Sequence, residues 1–473
     1  MEETQVQSTR PTNPRRKKPT PMQIFKERYL PLIILALTAI LLVTFVIGSI
    51  VRAVQRNKIE DAVALAAAEE AARISEEAKN IAHDAEVLAS MYDYQGAIST
   101  IDSFSGNVRD YPELQNLRNQ YITANDQLVT WDDPNSVLSL SFQMLIADPA
   151  RAFGHDEQGE SMEYHYITTT EFTRLLEQLY ANNYILVSLD DFIATQNSQT
   201  GEEVMGFSPL RLPAGKKPLM LTQTNVNYDL FLVDGNNDMI PDADSCGFAS
   251  RLVLDSDGSV TCEYIDPAGQ VQTGSYDLIP ILDDFIAEHP DFSYRGAKAI
   301  IALSGHEGLF GYRTGTDFEN YLGTAKHDEE VAAAKAIATA LIRSGYDLAC
   351  YTYGNVGYGN MSLDQIQQDQ TKWLQEVTPI IGQTDILVYA KLSDIASSSD
   401  DYAGDTFAFL QQAGYRNFIG FTQNGSCWVK VAEDHMRLGR IMITGNNLIN
   451  NAAWFEEILD PMTVLDLGIR EQF

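Results

Sequence analysis

The residues that raise a chemical question are Thr222-Gln223-Thr224-Asn225, which end the apolar run Pro218-Leu219-Met220-Leu221. A buried strand that turns polar at its end is where α/β folds keep their sites. This cluster offers hydroxyls and amides, with no carboxylate, imidazole or thiol among its four residues. Such groups exchange hydrogen bonds but do not titrate near neutral pH. A second cluster lies in "VDGNNDMIPDADS", residues 233–245, where Asp234, Asn236, Asp238, Asp242 and Asp244 present oxygens at nearly alternate positions. Calcium loops use that spacing. The segment departs from an EF-hand, with Met239 at the turn glycine and Ser245 at the final glutamate. A calcium site and a solvated acidic loop are both compatible with it.

The other chemistry-bearing residues are scattered. His83, His155, His165, His289, His306, His327 and His435 form no H-x-x-x-H pair, and Cys246, Cys262, Cys350 and Cys427 form no C-x-x-C pair. A cysteine-based zinc site or thioredoxin motif is therefore not expected. A Cys246–Cys262 disulfide flanking "RLVLD" and four free thiols are both open. The acid pairs Asp190-Asp191 and Asp283-Asp284 read as helix caps and surface charges rather than as a glycosidase pair.

The elements that must position these residues follow from periodicity. From about Trp131, apolar β-type runs alternate with amphipathic helical runs: "SVLSLSFQMLI", "YILVSL", "KPLMLTQ", "GAKAIIALSG", "YDLACYT", "TDILVYA", "RNFIGFT" and "GRIMITG" are separated by helices such as "TTTEFTRLLEQLYANN" and "DEEVAAAKAIATALIRSG". Alternation implies parallel βαβ units, and seven or eight strands over this length favour an α/β fold of the (β/α) barrel kind over an open sheet. The working face should then be the C-terminal ends of the strands, where Thr222–Asn225, Tyr351–Asn355, Tyr389–Leu392 and Thr444–Asn447 converge. Ahead of this domain, residues 52–130 read as a helical stalk and two-helix hairpin. The stretch Asp93-Tyr94-Gln95-Gly96-Ala97-Ile98 is similar to the middle of one tetratricopeptide unit, although a single copy favours a cap or spacer.

Residues 30–51, "LPLIILALTAILLVTFVIGSIV", carry no charge and are long enough to span a membrane. Residues 1–29 form a basic tail. Seven Lys/Arg precede the span and only Arg52, Arg56 and Lys58 follow it closely, which places the N-terminus in the cytoplasm and the rest outside the cell membrane. The net charge is -32, yet residues 1–58 hold ten Lys/Arg against three acids, so the body beyond them holds 23 against 62. A body this acidic repels nucleic acid, which is excluded as a partner.

Residues 131–473 resemble the polysaccharide deacetylase family, carbohydrate esterases of chitin-like and peptidoglycan sugars. The segment "TTTEFTRLLEQLYANNYILVSLDDFI" resembles the family's helix–strand–helix, and "SGYDLACYTYGNVG" resembles its G-H-E-I-A-S-H-T-x-x-H segment. "LTQTNVNY" sits where the family reads T-F-D-D-G-Y or D-D-V-N-Y, and "FSYRGAKAIIALSGHEGLFGYRT" looks like the same subgroup. The resemblance implies a metal held by one Asp and two His, with a second Asp as general base. Carried over by position, the base falls on Thr224, the metal Asp on Asn225, and the histidines on Tyr351 and Asn355. All four are replaced, so no zinc is expected. The span together with the resemblance then implies a membrane-anchored, extracytoplasmic bacterial envelope protein whose domain is a pseudoenzyme. Its partner would be cell-wall glycan or peptidoglycan, held in a cleft of Asn225, Tyr351, Tyr353 and Asn355. The alternatives are an active hydrolase with residues relocated to around His306-Glu307, and a protein-interaction scaffold.

Overall fold

The computed structural model describes residues 20–131, 133–154, 156–197 and 203–470, and the chain divides into two units, residues 1–79 and 80–473. The basic run up to residue 19, and His155, lie outside the described residues.

In the first unit, helical backbone begins at Pro21, inside the stretch read from sequence as a tail, and leads into α1, Leu30–Ser90. The apolar side chains from Leu30 to Val51 are exposed around the helix, as expected of a segment that no protein core covers. The helix is long and apolar enough to cross a membrane. Its polar side chains are satisfied locally: the hydroxyls of Thr38, Thr44 and Ser49 donate to carbonyls one turn back. Beyond Val51, Arg56–Glu60 and Arg73–Glu70 pairs at helical spacing lace an exposed surface.

In the second unit, seven parallel strands close a barrel: β1 (Leu138–Phe142), β2 (Lys217–Thr224), β3 (Ile300–Leu303), β4 (Asp347–Cys350), β5 (Ile386–Val388), β6 (Asn417–Phe421) and β7 (Met436–Met442). They lie around the ring in chain order, and β7 returns to β1 with Ile441 opposite Leu140. Alternation sorts their side chains. On β2, Leu219 and Leu221 join the apolar layer under the helices, while Met220 joins Ala302, Ala349, Val388, Ile419 and Leu438 in a second cluster. The strand Tyr184–Leu186, read from sequence as a stave, pairs with Lys217–Leu219 at the start of β2 and otherwise makes a single bridge, Leu186 to Ser293. The remaining edge of β2, Thr222–Thr224, is taken by β3, which closes the ring without it.

Antiparallel pieces interrupt the alternation: a meander over Arg251–Leu254, Val260–Ile265 and Val271–Gly274, a ribbon of Ile193–Asn197 with Glu203–Phe207, and Trp428–Val431 against β7. The helical hairpin α2 (Tyr94–Asp102) and α3 (Pro112–Asp126) docks at the N-terminal end of the barrel. There the Arg295 amide donates to Met91 at 2.8 Å, and the Arg211 guanidinium donates to Asn125 at 2.8 Å. The opposite mouth stays open.

Candidate binding cleft at the barrel mouth

Backbone conformation marks this mouth. Of the thirteen non-glycine residues with positive φ among those described, eight lie just after barrel strands: Asn225, Tyr228, Glu307, Phe310, Thr352, Asn355, Lys391 and Leu392. Left-handed backbone is tolerated by Asn, but strains a β-branched residue such as Thr352. Thr352 is held there by its own hydroxyl, which accepts from the Val356 amide at 2.9 Å. Strain of this kind concentrates at functional sites.

Three buried polar side chains hold the loops in place. Asp277 is fully buried and accepts from the Gln223 side chain (2.8 Å), the Tyr228 hydroxyl (2.7 Å) and the Leu145 and Leu278 amides. Burial raises its carboxyl pKa, and those donors oppose the rise. Asn227 donates to the carbonyls of Ser304 and Gly308, tying the loop after β2 to the loop after β3. On the far side, the fully buried Arg440 of β7 donates to the carbonyls of Ile419, Gly420 and Tyr389 and to the Ser141 hydroxyl, and lies against the Tyr351 hydroxyl. It bridges three strand ends and supports Tyr351 from beneath. Burial lowers its pKa.

Above this floor lies a cavity of about 940 Å³. Asn225, Tyr351 and Asn355 line it, and the Asn355 amide donates to Asn225 Oδ1 at 3.4 Å. Thr224, the fourth position singled out through the resemblance, does not line it. The alternation of β2 turns Thr224 into the barrel, where its hydroxyl donates to Phe142 at 3.1 Å. Tyr353, expected in the cleft, turns away from it, and its hydroxyl donates to Glu376 at 2.8 Å. Thr444, Asn446 and Asn447 line the wall, as does Lys391, whereas Tyr389 is wholly buried. His306 and Glu307, the relocated hydrolase pair, do not line the cavity. Glu307 instead caps the Leu230 amide.

The residue that sequence reasoning passed over is Asp229. It lines the cavity at 7% exposure, and its Oδ2 accepts from the Asn225 amide at 3.0 Å. Burial raises its pKa, the Asn225 amide opposes the rise, and Glu307 reinforces it. The signal was its place four residues after Asn225. The polar cluster has no acid, but the turn after it does. The rim adds Tyr164 and Phe231, both exposed aromatics, and His165, whose pKa burial lowers.

This donor set does not fit the zinc that the family resemblance implies. Asn225, Tyr351 and Asn355 offer amides and a phenol, and the two amides are engaged with one another. Among the described residues no three His, Cys, Asp or Glu side chains gather as ligands.

The acidic loop folds on its own backbone. Asp234 accepts from the Met239 amide (2.7 Å), Asn236 from the Asp238 amide (2.9 Å), and Asp242 from the amides of Gly235, Asn236 and Asp244. Asp238 caps the Ile240 amide, and Asp244 remains exposed. None of the five lines the cleft. All four thiols are free. The Cys246–Cys262 pairing is not formed, because Cys262 is fully buried against Tyr228 while Cys246 contacts Gln158.

No protein-family model and no curated protein matches this chain. Among solved structures it is similar to the Streptococcus pyogenes deacetylase PplD in complex with acetate, at 14% identity and a TM-score of 0.32, over 68% of this chain and 98% of that one.

Proposed function

We propose that the chain is a membrane-tethered, extracytoplasmic carbohydrate-binding protein, a catalytically inactive relative of polysaccharide deacetylases that holds cell-wall or surface glycan at the barrel mouth. The observation that carries this reading is the lining of the cleft. Amides and hydroxyls (Asn225, Asn355, Asn446, Asn447, Thr444 and Tyr351) face a cavity whose rim carries two exposed rings, Tyr164 at 44% and Phe231 at 58%. Polar groups of this kind suit sugar hydroxyls, and flat apolar rings suit sugar faces. A neighbouring cavity of about 750 Å³ shares Lys391 and Leu392 with it and is lined by Phe421, Asn424 and Trp428, which favours a ligand longer than one sugar.

The test uses the full chain solubilised in detergent. It should be retained on purified peptidoglycan or on immobilised chitin-type oligomers, above a charge-matched control, and should release no acetate from acetylated oligomers. Turnover would make it an enzyme, and absence of retention would favour the scaffold alternative.

A further inference from the structure

We propose that Asp229 makes the cleft selective for an unacylated, protonated amine on its carbohydrate ligand, so that the preferred ligand is an amino sugar with a free nitrogen. This rests on the glycan-binding reading above. The observation is an imbalance at one carboxylate. Asp229 lines the cavity and its Oδ2 is bonded to Asn225, but its buried Oδ1 has no hydrogen-bond partner among the described residues. A buried carboxylate oxygen left unpaired is costly, and a ligand donor resolves it.

The charges around Asp229 point to the sign of that donor. Arg313 and His306 act on Asp229, but the Arg313 guanidinium spends its N–H groups on the carbonyls of Tyr228 (2.8 Å) and Glu307 (3.0 Å) and forms no ion pair with Asp229. Glu307 adds negative charge to the same corner, and Glu157 lines the cavity. Lys391 is the cationic lysine or arginine side chain in the lining. An ammonium brings three donors and a positive charge to the Asp229 carboxylate. An acetamide brings one neutral donor, and a carbonyl oxygen that faces the carboxylate without attraction.

The experiment is calorimetric titration of the full chain in detergent with glucosamine oligomers and, separately, with N-acetylglucosamine oligomers of the same length. It is run at about pH 6, below the ordinary range of an aliphatic or α-amine. The free-amine oligomer should bind about tenfold or more tightly, the scale of one charge-assisted hydrogen bond. The preference should collapse in Asp229→Asn, with the ratio of the two affinities falling to about one. Equal or tighter binding of the acetylated oligomer by the unaltered chain overturns the amine assignment and leaves glycan binding standing. A preference that survives unchanged in Asp229→Asn overturns the role of Asp229 and assigns the preference to the acidic body as a whole. Binding of neither oligomer removes the glycan reading and this proposal with it.

Discussion

Asp229 sits in the cleft at a cost to the fold. Its carboxyl is raised above the ordinary range by burial, so the ionised form is disfavoured in the folded state relative to the unfolded one. The sign is definite: the penalty is absent below the unfolded pKa and grows as pH rises through the folded pKa. Asp229→Asn is therefore expected to melt slightly higher than the unaltered chain at pH 7, and the gain should vanish as the pH falls toward 4. Thermal melts at the two pH values check this, and a variant that is less stable at pH 7 would contradict it. Phe231 makes the complementary case. Being 58% exposed, its replacement by Ala should move stability by roughly 0.5 kcal/mol or less, while glycan affinity falls severalfold.

At the scale of elements, the mouth is organised by groups that cross between strands. Arg440 donates to three carbonyls at the ends of neighbouring segments, and Arg440→Met would remove a buried donor from each, although Ile419 keeps the Tyr389 amide. A loss of roughly 3 kcal/mol in urea unfolding is expected, because several unsatisfied groups each cost about 1–3 kcal/mol. The acidic loop has a test of its own. Asp242 caps three amides, so Asp242→Ala should loosen the loop and lower the melting temperature with or without added metal. If the loop also takes calcium, millimolar calcium raises the melting temperature of the unaltered chain and not of the variant. No shift in either leaves it a self-capped turn. The staves of the barrel were legible in sequence because buried parallel strands are short apolar runs between helices. The meander at 251–274 and the ribbon at 193–207 were not, because half-exposed antiparallel strands carry no such contrast. The strand Tyr184–Leu186 had the right composition for a stave, but strand pairing is decided by which edge is free when the ring closes.

For the whole molecule, the reading of one membrane span with an extracytoplasmic body makes a direct prediction. The chain should remain with membranes at high salt and leave them only with detergent, and a protease added to intact cells should reach residues 80–473 but not the basic tail. Protection of that unit would reverse the orientation drawn from the Lys/Arg bias. The sequence by itself determined the apolar span, the acidic body and the alternation that makes a barrel, because each is a property of consecutive residues. It also displayed Thr224, Asn225, Tyr351 and Asn355, the positions singled out through the family resemblance, since motif order is visible without a fold. Only the tertiary structure decided which of them meet. Asn225, Tyr351 and Asn355 share a cavity, while Thr224 faces the barrel interior, because side chains alternate along a strand and the ring has an inside. Only closure of that ring brought Arg440 of the last strand beneath Tyr351 of the fourth segment, and left one oxygen of Asp229 buried beside the cleft without a partner.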